Sequence, residues 1–453
     1  MYFKQITTPG LGCYSYVIGC PKAATMAVVD PRRDIAIYQE ISNKMGMELM
    51  CIFETHVHAD HISGAQELSA ATYVPVYAHE STQVTYKYKI LKHDDEYTFG
   101  PAHVRILHTP GHTPNSISLL ITDQTRSKNP QLILTGDLLF VGDIGRPDLP
   151  GEAILDQQIQ DLYNSLHTVL GQLPDYLEVY PAHGEGSLCG SGMSAKPHTT
   201  LGYERKANPM LRHRNFESFK TAIRSKNPMR PQSFASIIST NLSTVPPSPA
   251  RNLPDFSTPP SLIPHLQKQG TQILDLRDSY AFASAHIPGS INIDFTGGPK
   301  LNWVGVAITP GTPLLLILPP ELQFEDVYLE LQRIGYDNVQ GYLNGGINAW
   351  ISSGKLTQST PYITAAEVKL TMPNPPAIID VRSPEEFATK NINTSINYTF
   401  DDIINQAPYP AQSDKEAVIV CKSGFRAAIA ASLLKAQGHK NISILIGGTD
   451  AWK

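Results

Sequence analysis

Four side chains able to bind a metal ion lie within six consecutive residues of this 453-residue sequence. They are His56, His58, Asp60 and His61, and they follow an apolar run, residues 50–53, that predicts a buried strand. Imidazole and carboxylate groups bind iron, zinc and manganese. Crowding such groups at a strand end is costly unless a cation organises them. The block therefore predicts a metal centre.

Three more candidate ligands occur downstream. His112, Asp137 and His183 each lie in a loop that leaves an apolar run. Loops at the ends of several strands can converge on one ion while the sheets keep the geometry rigid. All seven ligands together also permit a dinuclear site, in which a bridging hydroxide attacks an ester or amide carbonyl. The number of ligands leaves the mononuclear and the dinuclear site open.

Length and charge limit the class of protein. A chain of 453 residues predicts about three domains. Lysine and arginine total 36 against 41 aspartate and glutamate, a net charge of −5 that offers no basic surface for nucleic acid or an anionic membrane. The sequence shows neither a signal peptide nor an apolar run long enough to span a bilayer, which predicts a soluble cytoplasmic protein. An odd number of cysteines, five, argues against a disulfide framework.

The elements that must position these residues are predicted to form three domains. A segment rich in Pro, Ser and Asn predicts a linker over residues 246–264, after a first domain over 1–245. Beyond it an Ile-Leu-Asp-Leu-Arg run, 273–277, recurs as Ile-Ile-Asp-Val-Arg at 378–382. Two copies of a domain of about 100 residues therefore follow, over 265–357 and 358–453. Alternating apolar strands and helical stretches predict a parallel sheet covered by helices in each copy.

A cysteine in the last copy carries chemistry of its own. Cys421 directly follows an apolar run and precedes Lys-Ser-Gly-Phe-Arg, so that Arg426 begins a predicted helix. Loop amides and the positive end of a helix stabilise a thiolate, or the persulfide formed on it. A phosphatase loop has one residue more between its cysteine and arginine, which favours sulfur transfer. In the middle copy the equivalent position is Leu318, followed by two prolines, and this copy is predicted to be inactive.

The ligand pattern of the first domain resembles the metallo-β-lactamase superfamily, which implies an αββα sandwich. Residues 142–149 and 203–209 are similar to its persulfide dioxygenase branch. That resemblance implies one Fe(II) per chain, held by His56, His112 and Asp137, with zinc as the alternative metal. The remaining four ligands would then orient the metal ligands, meet the substrate, or bind a second metal: His58, Asp60, His61 and His183.

Three residues of the first domain are predicted to contact the substrate. Arg146 lies on a glycine-containing loop just beyond Asp137 and could bind the carboxylate of a thiol carrier such as glutathione. Arg205 belongs to a segment that carries the resemblance. Cys189 follows His183 closely and could accept or relay a sulfane sulfur, although a small buried apolar residue is an equal alternative.

The last copy resembles the active loop of rhodaneses, which implies catalytic roles for Cys421 and Arg426. The combined resemblance implies oxidation of a low-molecular-weight thiol persulfide by O2 to sulfite, followed by sulfur transfer that yields thiosulfate, as in sulfide detoxification. A zinc-dependent thioester hydrolase with a rhodanese appendage and a persulfide sensor or carrier are the alternatives. No nucleic-acid or membrane partner is expected, and the sequence leaves a homo-oligomer open.

Overall fold

The computed structural model describes residues 1–190, 192–226, 229–245, 248, 256–371, 375–411 and 415–452. The chain folds into two compact units, the first made of Met1–Pro249 with Leu329–Gly335, and the second of Ala250–Tyr328 with Tyr336–Lys453. Much of the predicted linker, residues 246, 247 and 249–255, lies outside the described residues. Among the described residues, no helix combines the length and the apolar composition needed to cross a bilayer.

Two six-stranded sheets form the centre of the first unit. The strands of the first sheet, in their spatial order, are β1 (Tyr2–Thr8), β2 (Cys13–Cys20), β3 (Thr25–Val29), β4 (Glu48–Phe53), β5 (Val76–His79) and β6 (Lys89–Leu91). The second sheet has the order β12-β11-β10-β9-β8-β7 and consists of β7 (Glu96–Phe99), β8 (Ala102–His108), β9 (Ile117–Asp123), β10 (Leu132–Gly136), β11 (Glu178–Pro181) and β12 (Thr199–Thr200). Both sheets mix parallel and antiparallel pairs.

Helices cover the outer face of each sheet. They are α1 (Ala36–Met45), α2 (Ala65–Thr72), α3 (Leu155–Asn164), α4 (Leu201–Ala207) and α5 (Phe216–Arg224), whereas α6 (Ser233–Leu242) packs through Phe234 against Ala59 and Leu149. A core between the sheets joins side chains such as Phe53 and Ile106. A second core packs α1 and α2 on the first sheet, and a third packs α3 and α5 on the second. The predicted αββα sandwich is confirmed.

Two repeats of one parallel fold make up the second unit. The first repeat contains β13 (Ser257–Thr258), α7 (Ile263–Lys268), β14 (Gln272–Asp275), α8 (Ser279–Ser284), β15 (Ile291–Asn292), α9 (Lys300–Ala307), β16 (Leu314–Ile317), α10 (Phe324–Arg333), β17 (Val339–Leu343) and α11 (Gly346–Ser352). The second contains β18 (Tyr362–Ile363), α12 (Ala365–Leu370), β19 (Ala377–Asp380), α13 (Pro384–Thr389), β20 (Ile396–Asn397), α14 (Phe400–Ile404), β21 (Ala417–Val420), α15 (Phe425–Ala436), β22 (Ile442–Leu445) and α16 (Gly448–Ala451).

The two repeats have the same strand order. It is β13-β17-β16-β14-β15 in the first repeat and β18-β22-β21-β19-β20 in the second, and every pair is parallel. The central strands are short, fully buried aliphatic runs, such as Leu-Leu-Leu-Ile in β16, because helices cover both faces of a parallel sheet. The predicted pair of parallel α/β domains is confirmed.

Candidate metal centre and active-site loop

The predicted metal ligands lie where strands of both sheets end. The block that begins at His56 follows β4 of the first sheet, whereas His112, Asp137 and His183 follow β8, β10 and β11 of the second. Close packing makes one glycine necessary here, since a Cβ on Gly111 would lie 2.4 Å from the backbone of α3 and its φ is +140°. All seven predicted ligands are buried.

Three of the seven converge as a triad. The Nε2 atoms of His56 and His112 lie 3.8 and 3.3 Å from the same Asp137 Oδ2, and the three side chains are at most 1 % exposed. The other nitrogen of each ring is occupied. His56 Nδ1 bonds to Thr55 Oγ1 at 2.9 Å, and His112 Nδ1 donates to the carbonyl oxygen of Arg146 at 2.8 Å. Both rings are thereby fixed with Nε2 toward Asp137.

The triad has the chemistry of a metal site. Among the described residues, His112 Nε2 and Asp137 Oδ2 have no hydrogen-bond partner, although both are buried. Such atoms are rare unless an ion or water satisfies them. Burial lowers the pKa of His56 and of His112, which keeps both rings neutral and able to bind metal. Two neutral imidazoles and one carboxylate on one face suit Fe(II), and they also suit zinc.

His58 does not join the triad. Its Nε2 lies 3.2 Å from Asp30 Oδ1 and 3.7 Å from Glu54 Oε2, and all three side chains are at most 7 % exposed. Burial opposes the charged ring, but the Asp30 carboxylate outweighs it and raises the pKa of His58 to about 9. Burial also raises the pKa of Glu54. His58 therefore has carboxylates behind its Nε2, while its Nδ1 is buried without a hydrogen-bond partner and the residue groups with Asp60 and His61 beside the triad.

Asp60, His61 and His183 form a second ligand group next to the triad. The His183 ring bridges two carboxylates, with Nδ1 2.5 Å from Asp137 Oδ1 and Nε2 2.8 Å from Asp60 Oδ2. His61 Nδ1 lies 3.1 Å from Asp60 Oδ1, and the Cys13 thiol donates to Asp60 Oδ2 at 2.8 Å. Burial raises the pKa of Cys13. This group offers donors for a second ion, so the ligand set by itself permits one metal or two.

The predicted substrate residues have different surroundings. Cys189 is buried, and its sulfur lies within 4.8 Å of ligand atoms of Asp137 and His183. Arg205 lies in α4, where its guanidinium pairs with Asp175 and donates to the carbonyl oxygen of Leu170 at 2.6 Å. The structure thus brings Cys189, but not Arg205, into the group around the predicted metal.

Arg146 contacts His112 through its backbone carbonyl oxygen. Its guanidinium donates to both carboxylate oxygens of Asp148 at 2.7 and 2.6 Å, while its carbonyl oxygen holds His112. A cavity of about 280 Å³ adjoins it, and Arg224 and Lys226 also line that cavity. Asp143, Asp148 and Glu152 line it as well, so each of the three cations is paired with a carboxylate and the lining is polar and mixed in charge.

The Cys421 loop has the predicted form. Cys421 follows β21, and the Gly424 N–H donates to its sulfur at 3.1 Å. Gly424 has φ +109°, a conformation that glycine adopts without strain, and α15 begins at the next residue. Arg426 forms two hydrogen bonds to Glu386 at 2.6 and 2.7 Å. The thiol therefore faces the Gly424 amide and the positive end of a twelve-residue helix.

Several residues around the triad escaped the sequence analysis. The Asn241 amide donates to the carbonyl oxygens of His58 and His61 at 2.9 and 2.8 Å and accepts from the Ser63 N–H at 3.0 Å. Asp30 and Glu54 likewise contact His58, and Cys13 contacts Asp60. These residues have no characteristic spacing from the ligand block. The only available signal was a polar residue directly after an apolar run, which applies to Asp30 and Glu54.

Comparison with known families identifies both kinds of domain. Residues 8–183 match the metallo-beta-lactamase superfamily, and residues 258–353 and 364–453 each match the rhodanese-like domain. A solved metallo-beta-lactamase structure from Staphylococcus aureus subsp. aureus COL is 31 % identical, with a TM-score of 0.67, and the match covers 76 % of this chain and 98 % of that one.

Two curated relatives differ in their named activities. A probable hydroxyacylglutathione hydrolase of Schizosaccharomyces pombe is 29 % identical over 48 % of this chain and 88 % of its own length. The mitochondrial persulfide dioxygenase ETHE1 of Bos taurus is 25 % identical over 53 % of this chain and 87 % of its own length. The chain belongs to the metallo-β-lactamase superfamily and carries two rhodanese-like domains after its metal-binding domain.

Proposed function

We propose that the first domain is a persulfide dioxygenase with one Fe(II) and that the last domain is a sulfurtransferase. The first reaction is R–S–SH + O2 + H2O → R–SH + SO3²⁻ + 2 H⁺, where R–SH is a low-molecular-weight thiol such as glutathione. In the second, Cys421 takes a sulfane sulfur from another persulfide and passes it to sulfite, which gives thiosulfate. The sulfite formed by the first domain is thus a substrate of the last.

One observation carries the proposal: the triad contains two histidines and one carboxylate, and His58 lies outside it. These three residues would hold a ferrous ion and leave it open to both a persulfide and O2. A bound ferrous ion would supply the redox chemistry that activates O2, which zinc cannot supply. Thr55 and the carbonyl oxygen of Arg146 orient the two histidines, and burial of the triad limits access of water.

The substrate class is supported by two features. The cavity beside Arg146 has a polar lining of paired cations and carboxylates, which suits a thiol carrier that bears both amino and carboxylate groups, as glutathione does. The Cys421 loop provides amide donors for an anionic persulfide. A bond forms between Cys421 Sγ and the terminal sulfur as the S–S bond of the donor breaks and the thiol leaves. Sulfite then attacks that sulfur and releases the Cys421 thiolate.

A zinc-dependent thioester hydrolase is the second candidate. Asp60 contacts both His61 and His183, and these three residues beside the triad would hold a second ion. The hydroxyacylglutathione hydrolase of S. pombe is also more similar in sequence than the bovine dioxygenase. The two candidates differ in metal number and in their need for O2.

Anaerobic purification followed by metal analysis and O2 uptake separates the candidates. We expect one iron per chain, O2 consumed in equal amount to the sulfite formed from glutathione persulfide, and loss of both in His112→Ala. His93→Ala, a half-exposed histidine away from the triad, is the matched control. Two zinc ions with hydrolysis of a glutathione thioester and no O2 uptake would overturn the dioxygenase. Persulfide binding without turnover by either site would instead support a carrier.

A further inference from the structure

Two histidines outside the metal centre lie face to face at one end of the sandwich. His79 ends β5 of the first sheet, and His108 ends β8 of the second. Their ring centroids are 3.8 Å apart and the ring planes differ by 12°, so the two imidazoles are stacked. His79 is only 4 % exposed. Directly after His108 comes the turn that carries His112, residues 109–116, which we call the ligand turn.

Both rings are bonded to the ligand turn. The ring Nε2–H of His108 donates to the carbonyl oxygen of Pro114 at 3.0 Å. The Ser81 hydroxyl donates to the same oxygen at 3.2 Å, and it also lies 2.8 Å from His79 Nδ1. The stacked pair therefore connects the loop after β5 of one sheet to the ligand turn after β8 of the other.

These hydrogen bonds fit neutral imidazoles. His79 Nδ1 accepts from the Ser81 N–H at 3.3 Å, and a proton on that nitrogen would break this bond. His93 Nδ1 likewise accepts from the N–H of His108 at 3.0 Å. Protonation of both stacked rings would also place two like charges face to face, where burial of His79 largely excludes water. The contact between the loop and the ligand turn thus depends on uncharged histidines.

The carboxylates beside the pair are already paired with cations. Glu80 comes directly after β5, but its carboxylate lies 3.6 Å from the Lys92 ammonium and is half exposed. Asp94 lies 3.6 Å from the His93 ring and accepts from Arg105 at 2.8 Å. Each carboxylate is thus shared with a cation and open to solvent, so neither supplies a full counter-charge to a protonated ring of the pair.

The surroundings disfavour a proton on His79. Burial lowers the pKa of His79 to about 4 from its ordinary value of 6.5, with His108 and His93 acting in the same sense and Glu80 opposing them. The neutral ring therefore stabilises the contact fully above pH 6.5, and this stabilisation is lost as the pH falls toward 4. A loosened contact, in which His79 regains its ordinary pKa, gains about tenfold in population between about pH 7.5 and about pH 5.5.

We propose that His79 and His108 are positioning residues for the ligand turn and that protonation of the pair releases this turn from the loop after β5. Acid then loosens the mounting of His112 through two residues that themselves bind no metal. The inference concerns only how the turn is held, so it applies equally to the dioxygenase and to the hydrolase, and it does not depend on which metal is bound.

Hydrogen exchange of the full-length chain, with zinc in excess, tests the release without an activity measurement. Mass spectrometry follows the amides of the ligand turn, and the rates are corrected for the intrinsic effect of pH on exchange. We expect opening of the turn to increase about tenfold from about pH 7.5 to about pH 5.5 in the wild type. His79→Phe, whose ring stacks but takes no proton, should change by less than about twofold. His103→Gln, on β8 but paired with Glu96, is the matched control and should keep the wild-type increase.

His108→Ala and His108→Gln test the positioning role at the higher pH. Alanine removes the donor to Pro114, so opening should rise about fivefold, whereas the glutamine amide can replace the ring N–H and should restore wild-type protection. Unchanged protection in His108→Ala would overturn the positioning role. His79→Asn, which takes no proton but keeps an acceptor for the Ser81 N–H, is the second variant for the pH test. A wild-type turn that opens equally at both pH values, or the wild-type increase in both His79 variants, would overturn the release.

Discussion

The two rhodanese-like repeats share a scaffold and differ in one loop. In each, an aspartate at the end of a central strand binds the arginine two residues on, Asp275 with Arg277 and Asp380 with Arg382, with the closest contact at 2.6 Å in both. An asparagine amide in the neighbouring strand completes each turn through the carbonyl oxygens of the same two residues. These contacts are therefore present whether or not the repeat carries a cysteine.

The loop after the next strand is where the repeats diverge. The second repeat has Cys421 and a glycine whose N–H faces the sulfur. The first has Leu318, Pro319 and Pro320, and α10 begins only at Phe324. Proline has no N–H, so this loop lacks a thiol and also lacks the amide donors of the two positions that follow it. The difference between the repeats therefore lies in a few loop residues that the fold presents but does not require.

The repeat that lacks the cysteine nevertheless packs against the repeat that carries Cys421. Trp303 in α9 lies 4.8 Å from Phe400 and 6.2 Å from Phe425, measured between ring centroids, and Phe425 directly follows Gly424. The Asn292 N–H donates to Ser432 Oγ in α15 at 3.1 Å. The first repeat thus supports the helix whose start faces the Cys421 sulfur.

Replacing Cys421 should produce the largest effect. Cys421→Ser removes the sulfur acceptor, and we expect sulfur transfer to fall by about 10³-fold or more. Oxidation of glutathione persulfide by the first domain should continue, with sulfite accumulating in place of thiosulfate. Both products are quantified by chromatography. Unchanged thiosulfate formation would remove the last repeat from the reaction.

Asp275 and Asp380, which occupy equivalent positions in the two repeats, test whether loss of stability and loss of sulfur transfer can be separated. Asp275→Asn and Asp380→Asn each leave a buried arginine unpaired, and each should lower the free energy of unfolding by about 3 kcal/mol. Only Asp380→Asn should also slow sulfur transfer, because β19 adjoins β21, which ends at Cys421. Urea unfolding is compared with transfer rates measured below the transition, and Glu321→Gln serves as an exposed control. Equal loss of transfer in both variants would contradict the comparison.

The smallest effect is expected when a thiol is added to the inactive loop. Leu318→Cys in the Cys421→Ser background should restore no sulfur transfer, because Pro319 and Pro320 cannot donate to a persulfide. Labelling with a thiol reagent verifies that the new cysteine is accessible, and thiosulfate formation is the measurement. Recovered sulfur transfer would show that the repeats differ in activity only because one of them lacks the cysteine, and that the loop amides are not needed.

Features that are local in sequence were predictable. The repeats, the strands that precede Cys421 and Asp137, and the glycine turn at His112 all follow from short patterns, because strand ends and turns depend on neighbouring residues. The sandwich itself followed from the resemblance that those ligand patterns carry. Arg146 illustrates the limit, since its position beyond Asp137 was apparent but its pairing with Asp148 was not.

The order of residues along the chain places histidines, carboxylates and a cysteine at strand ends, so it gives the first domain seven candidate ligands and the last domain a cysteine. Only the folded structure shows which of these side chains contact one another. His56 and His58 are two residues apart, yet one faces Asp137 and the other faces Asp30 and Glu54. A side chain at a strand end turns toward the charged groups that neighbouring strands place beside it. Here those groups come from Asp30 and Asp137, which are distant from the histidines in sequence.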